Sequence, residues 1–205
     1  MIILFVALAI LTFFSVIFFI VFPFAKKSSL KKNFVKAYGK DVYKIANYYD
    51  LYLINTLVLQ SNDDSKIYID HLLFGNKFIF VIKDYYCDGQ LKGKEVDQSW
   101  VYYFGKEKDP KKELLKNPLI ENKTRTNKLS IITGLDESFL ISIILVNDDC
   151  DLSLEMNPSD NQYVIKRSEL KKLVSSIEGR NVAPLNDEQL AYAARDIAAL
   201  NINAK

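Results

Sequence analysis

The chain has 205 residues, 49% of them hydrophobic and 13% aromatic, with 27 Lys and Arg against 25 Asp and Glu for a net charge of +2. That balance excludes a disordered chain and leaves room for one domain with a real core. Two cysteines and a single histidine exclude a disulfide framework, a zinc site of ordinary Cys/His spacing and a Ser-His-Asp triad.

Charge is unevenly placed. Six of the lysines and none of the acids lie in the first 40 residues, which leaves residues 41–205 with 21 bases against 25 acids, a net charge of −4. Ile2 to Ala25 carries no charge, and Lys26, Lys27, Lys31 and Lys32 follow at once. A helix needs about 20 apolar residues to cross the hydrocarbon core, and Ile2 to Phe22 supplies that length, broken only by Thr12 and Ser15. A cleaved signal peptide is the competing reading. It fits less well, because the amino end has no Lys or Arg and no A-x-A-like site precedes Lys26. With lysines on the carboxyl side alone, the positive-inside rule predicts a single-pass protein of the cell membrane, amino terminus outside and domain cytoplasmic. The lysine cluster also suits anionic headgroups. Pro23 is expected at the helix exit.

The apolar positions Phe34, Ala37, Tyr38, Val42, Ile45 and Ala46 recur at helical spacing, which predicts a helix over Asn33 to Tyr48. Leu51 to Leu59 is rich in β formers, and Lys66 to Phe74 with Lys77 to Tyr86 read as a hairpin turned at Gly75-Asn76. Short strands are expected at Gly89 to Lys92 and Trp100 to Phe104, and the charged Lys106 to Lys116 reads as an exposed loop. Pro118 opens a helix to about Thr133 that Gly134 stops. Phe139 to Val146 reads as a strand buried on both faces, with shorter strands at Leu152 to Met156 and Tyr163 to Ile165. Arg167 to Ile177, capped by Ser168, and the segment after Asn186 to about Leu200 are helices. This order predicts an α/β sandwich around one mixed sheet.

From Tyr68 onward the pattern is specific. Ile69-Asp70-His71-Leu72-Leu73-Phe74, then Phe78 to Ile82, then Gly89, Gly93 and Trp100, then Asn117-Pro118-Leu119 with Asn122, then the strand pair in Ile143 to Leu154, resemble the nuclease-related domain, NERD, a relative of the PD-(D/E)xK restriction-endonuclease fold. The resemblance covers about residues 33–201. It implies a restriction-endonuclease-like mixed sheet flanked by helices. With the apolar segment, the organisation is a transmembrane anchor over 1–25, a basic arm over 26–32, a NERD-like domain over 33–178 and a C-terminal linker and helix over 179–205.

The resemblance also implies where chemistry would sit. Proteins of that fold cut phosphodiesters with carboxylates that hold Mg²⁺ and a lysine that helps activate water, and an E-x-K strand motif puts both groups on one face. Here those positions read Lys83-Asp84-Tyr85: lysine stands for the carboxylate, tyrosine for the lysine, and Asp84 points to the other face. The family's helix glutamate appears as Lys40 after Gly39, with Asp41 one residue out of phase, and the glutamine of the NPL helix is Glu121. Asp70 alone is unchanged.

Three functions follow as expectations. The first is a non-catalytic, membrane-tethered binding module for nucleic acid or a protein partner, with no cofactor and with Asp70 paired to Lys83. Lys106, Lys108, Lys111, Lys112, Lys116, Lys123, Arg125 and Lys128 are its candidate positive face, against the plainer reading of a solvated surface. The second is a divergent Mg²⁺-dependent nuclease, in which Asp70 and Glu121 hold the metal and Lys83 serves as the catalytic lysine. The third is a structural subunit of a membrane assembly. His71 reads as a hydrogen-bonded core or edge histidine, and Trp100, Tyr102, Tyr103 and Phe104 read as packing before base stacking.

Overall fold

The computed structural model describes residues 2–61, 64–106, 109–157 and 161–202, without the side chains of 2–10 and 106. Two compact units divide the chain between Ala37 and Tyr38. The first holds helix α1, Ile2–Lys32, which meets the length and composition of a membrane span over Leu11–Lys32. Pro23 lies inside this helix, not at its exit. Apolar spans tolerate an interior proline when neighbouring groups take up the freed carbonyl.

Helix α2, Phe34–Tyr49, leads into the second unit and buries Tyr38, Val42, Ile45 and Ala46, a stripe at steps of three and four residues. Among the described residues, nine strands form two mixed sheets. The larger sheet runs β1(Tyr52–Gln60), β2(Lys66–Phe74), β3(Ile79–Tyr85), β7(Leu140–Val146), β9(Gln162–Lys166). Its first pairs are antiparallel; β3–β7 and β7–β9 are parallel. The smaller sheet runs β6(Asp109–Lys116), β5(Ser99–Lys106), β4(Gln90–Lys94), β8(Asp151–Glu155), with β4–β8 parallel. Two sheets therefore replace the single one expected. The cause is local: β3 and β7 stop together, their chains turn side by side through 86–89 and 147–150, and pairing resumes between β4 and β8.

All of β7 is buried, as its unbroken apolar run requires. Helix α3, Pro118–Thr133, is capped by Asn117, whose side chain accepts from the Leu119 N–H, and ends at Gly134 with φ 72°. Asn122 of α3 is buried and donates to the Val81 carbonyl at 3.0 Å and to Ser142 Oγ at 2.9 Å, which seats the helix on β3 and β7. Gly93 is needed because a Cβ there would lie 2.3 Å from the Trp100 ring; that indole is fully buried and donates to the Lys94 carbonyl. Trp100 is thus packing.

Two local expectations are corrected. Within the charged 106–116 segment, Asp109–Lys116 is strand β6, paired residue by residue with β5, and exposed lysines on such a sheet edge disfavour pairing with other chains. Helix α4, Leu170–Glu178, is entered through a 3₁₀ turn at Arg167–Glu169, where the Glu169 side chain accepts from the Lys166 N–H; Glu169, not Ser168, stands at its N-cap position. Helix α5, Asp187–Ala199, is capped by Asn186 as expected and buries Leu190, Ala194 and Ile197 in the same core as Leu57, Leu72 and Val81. It is part of the folded unit.

Candidate functional site

The β2–β3 ladder pairs Phe74 with Ile79 and ends at His71 with Ile82. One residue further, Asp70 and Lys83 face each other where the strands part. The Asp70 carboxylate takes the place of the next rung: Oδ2 accepts from the Asp84 N–H at 2.9 Å and meets Lys83 Nζ at 2.8 Å. Both side chains keep about a quarter of their surface in solvent. On the other side of β2, the residue facing Asp70 in the β1 register is Thr56, with φ 56°. A β-branched residue in the left-handed region is strained, by about 1–3 kcal/mol. Asn201 holds the kink, accepting from the Val58 N–H at 3.0 Å and donating to the Thr56 carbonyl at 3.3 Å. Neither Thr56 nor Asn201 carries a sequence signal for this role.

Strand alternation sends the next pair to the opposite face. His71 Nδ1 lies 2.6 Å from Asn55 Oδ1, and Nε2 lies 2.9 Å from Asp84 Oδ2. Asn55 Oδ1 only accepts, so Nδ1 carries the hydrogen and Nε2 shares a proton with Asp84. Both side chains are almost fully buried, and Asp84 Oδ1 has no partner among the described residues. Burial raises the Asp84 pKa above the usual carboxylate range, with the His71 hydrogen bond opposing. Gly39 of α2 lies over this ring: a Cβ there would stand 3.3 Å from His71 Cε1. His71 is a bonded core histidine.

A Mg²⁺ ion needs near-octahedral oxygen ligands that include a carboxylate or two. The donor set here does not fit. Asp70 Oδ2 is already engaged by an ammonium and an amide. The carboxylate position is Lys83, and Tyr85, in the lysine position, is a neutral phenol that burial pushes up to about 12. Asp41, the acid nearest the missing helix glutamate, is held by Arg167 and by Lys44 at 3.2 Å. Glu121 meets Arg125 Nη2 at 4.0 Å and lines a groove of about 270 Å³ with Lys66, Ile67, Tyr68, Thr124, Arg125 and Lys128. Among the described residues, no group of three or more His, Cys, Asp or Glu is arranged to hold a metal.

The candidate cationic face divides. Arg125 and Lys128 share the Glu121 groove, whereas Lys123 lines a separate small one with Asn127, Glu137 and Asn161. Lys111, Lys112 and Lys116 are on edge strand β6, where Lys111 opposite Phe104 and Lys112 opposite Tyr103 point to alternate faces. Lys108 and the Lys106 side chain lie outside the described residues. Lys66 and Tyr68 were not singled out from sequence; they stand four and two residues before Asp70, on its face of the strand.

No curated protein matches the chain. One similar solved structure is a protein of unknown function, 8% identical, with 80% of this chain and 93% of that one covered at a TM-score of 0.37. The residues that carry the site lie within a stronger match: the model of the nuclease-related domain, NERD, covers residues 32–147, more than half of the chain, and the chain belongs to that family.

Proposed function

We propose that this chain is a membrane-anchored NERD-domain protein that binds the phosphate backbone of nucleic acid without cutting it. The observation that carries the non-catalytic reading is the 2.8 Å contact between Asp70 and Lys83. An ammonium occupies the ligand position, and the carboxylate it neutralises is the last of the family's acids at this site. The groove beside it supports binding. Lys66, Arg125 and Lys128 supply positive charge, and Tyr68, half exposed on the Asp70 face of β2, supplies a ring on which a base can stack. Arg125 is the best anchor, since about a quarter of its side chain is exposed and Glu121 is only at the limit of ion pairing. The net negative charge of residues 41–205 confines attraction to this local face.

Anchoring rests on the apolar α1 and its lysine-rich end. The positive-inside rule then places the domain in the cytoplasm, where nucleic acid is available.

The test uses the full chain in detergent micelles. Binding of single-stranded DNA and RNA is expected to weaken steeply with salt, and Arg125→Ala or Lys128→Ala each lowers the log–log slope by about one. No cleavage is expected with Mg²⁺ or Mn²⁺. Cleavage that Asp70→Ala abolishes would overturn the non-catalytic reading. Salt-insensitive association confined to another membrane protein would replace nucleic acid with a protein partner. Labelling of single cysteines introduced beyond Lys32, from one side of sealed vesicles, reads the orientation.

A further inference from the structure

Two of the links that join the sheets each carry a cysteine. Cys87 lies in the β3–β4 link and Cys150 in the β7–β8 link, and both are in one buried cluster with Leu91, Trp100, Ile144 and Val146. Asn147 clamps the two links together: its Oδ1 accepts from the Cys87 N–H at 2.6 Å and its carbonyl from the Cys150 N–H at 3.1 Å. Gly89 completes the join, accepting from the Asp151 N–H at 2.9 Å, with the Cys87 thiol 3.4 Å from the same carbonyl. The Cys150 thiol lies 3.8 Å from the Asp151 carbonyl, and both cysteines are free thiols in this structure.

We propose that Cys87 and Cys150 form a peroxide-responsive pair that closes into a disulfide across the junction of the two sheets. Neither sulfur has a function in the phosphate-binding reading, so the proposal stands apart from it. The two cysteines share one buried cluster, and they sit on the two links at the place where both strand paths turn from the larger sheet to the smaller.

The chemistry balances with hydrogen peroxide as oxidant. The neighbouring Cys150 side chain holds the Cys87 thiol below its usual value against the opposing effect of burial, while Cys87 and burial push Cys150 up, so Cys87 is the nucleophile. Its thiolate attacks one peroxide oxygen, the O–O bond breaks, and hydroxide leaves to give the Cys87 sulfenic acid. Hydroxide takes the Cys150 proton as water. The Cys150 sulfur then attacks the Cys87 sulfur and displaces the second oxygen as hydroxide, which the proton released when Cys87 ionised converts to water. Two thiols lose two electrons in all, and peroxide is reduced to two waters. Both sulfurs are covered, so peroxide reaches them through local opening of the links, and a reducing cytoplasm restores the thiols.

The test uses the full chain in detergent, reduced and then exposed to graded hydrogen peroxide, denatured with an alkylating agent and mapped without reductant. Alkylatable thiols are expected to fall from two to none, with a peptide joining Cys87 to Cys150 that dithiothreitol releases. In Cys150→Ser the reaction is expected to stop at a Cys87 sulfenic acid that dimedone traps. Retention of both thiols at peroxide doses that oxidise the exposed thiol of glutathione overturns the proposal. So does oxidation that runs to sulfinic acid without the joined peptide, a readout that needs no variant to fold.

Discussion

Lys83 is the residue on which the chemistry turns. With Lys83→Glu, Asp70 faces a second carboxylate in place of an ammonium, and two like charges at the mouth of the ladder cost about 1 kcal/mol. The same change supplies the oxygen ligand the site lacks. The variant is therefore expected to melt below the parent chain without divalent ions and to recover on addition of millimolar Mg²⁺, whereas the parent melts at one temperature with or without Mg²⁺. Thermal denaturation followed by circular dichroism reads both.

On the opposite face, Asp84 makes a pH-dependent contribution whose sign is set by burial. A carboxyl whose folded value is raised favours the native state while protonated, below its ordinary unfolded value, and that benefit is lost as pH rises through the raised folded value. Asp84→Asn keeps a donor toward His71 Nε2 and cannot ionise. Its stability relative to the parent is expected to increase from pH 4 to pH 8 in urea denaturation. A difference that shrinks over that range contradicts the buried, proton-sharing pair.

Among the elements, α3 depends most on a single side chain. Asn122→Ala strands the Val81 carbonyl and Ser142 beneath a helix that is otherwise polar, and leaving buried acceptors unpaired is expected to cost about 2–3 kcal/mol in chemical denaturation. The pattern of this helix was legible because its signals are local: Asn117 as cap, Pro118 in the first turn, Gly134 at the stop. Strand β6 was not legible. A Lys- and Glu-rich segment has neither alternation nor β propensity, and only its pairing with β5 makes it a strand. Likewise, the cap of α4 was assigned to Ser168 because serine is a good cap in isolation. In the fold Glu169 stands at that position, at the end of the 3₁₀ turn.

At the scale of the molecule, α5 closes the fold. Leu190, Ala194 and Ile197 pack with β1 and β2, and Asn201 holds the Thr56 kink beside Asp70. Ending the chain at Glu178, the expected domain boundary, exposes that core and releases the kink. The truncated protein is expected to lose cooperative unfolding, or to melt at least 10 °C lower, an amount on the order of 2 kcal/mol or more for a domain of this size. An unchanged transition would show α5 to be an appendage.

The sequence by itself determined the apolar span and its lysines, the order of nearly all helices and strands, the family resemblance, and the replacement of a carboxylate by Lys83 in its motif. Those are properties of neighbouring residues, and periodicity or a short motif displays them. Tertiary structure decided the rest: the division of the strands into two sheets, the separation of Arg125 and Lys128 from Lys123, the placing of Glu121 beside Arg125, the capture of Asp41 by Arg167, and the gathering of Cys87 and Cys150 into one buried cluster. Each joins or separates side chains according to which strands pair and which face a helix presents, and such long-range choices are set by burial of the whole core, which no local spacing records.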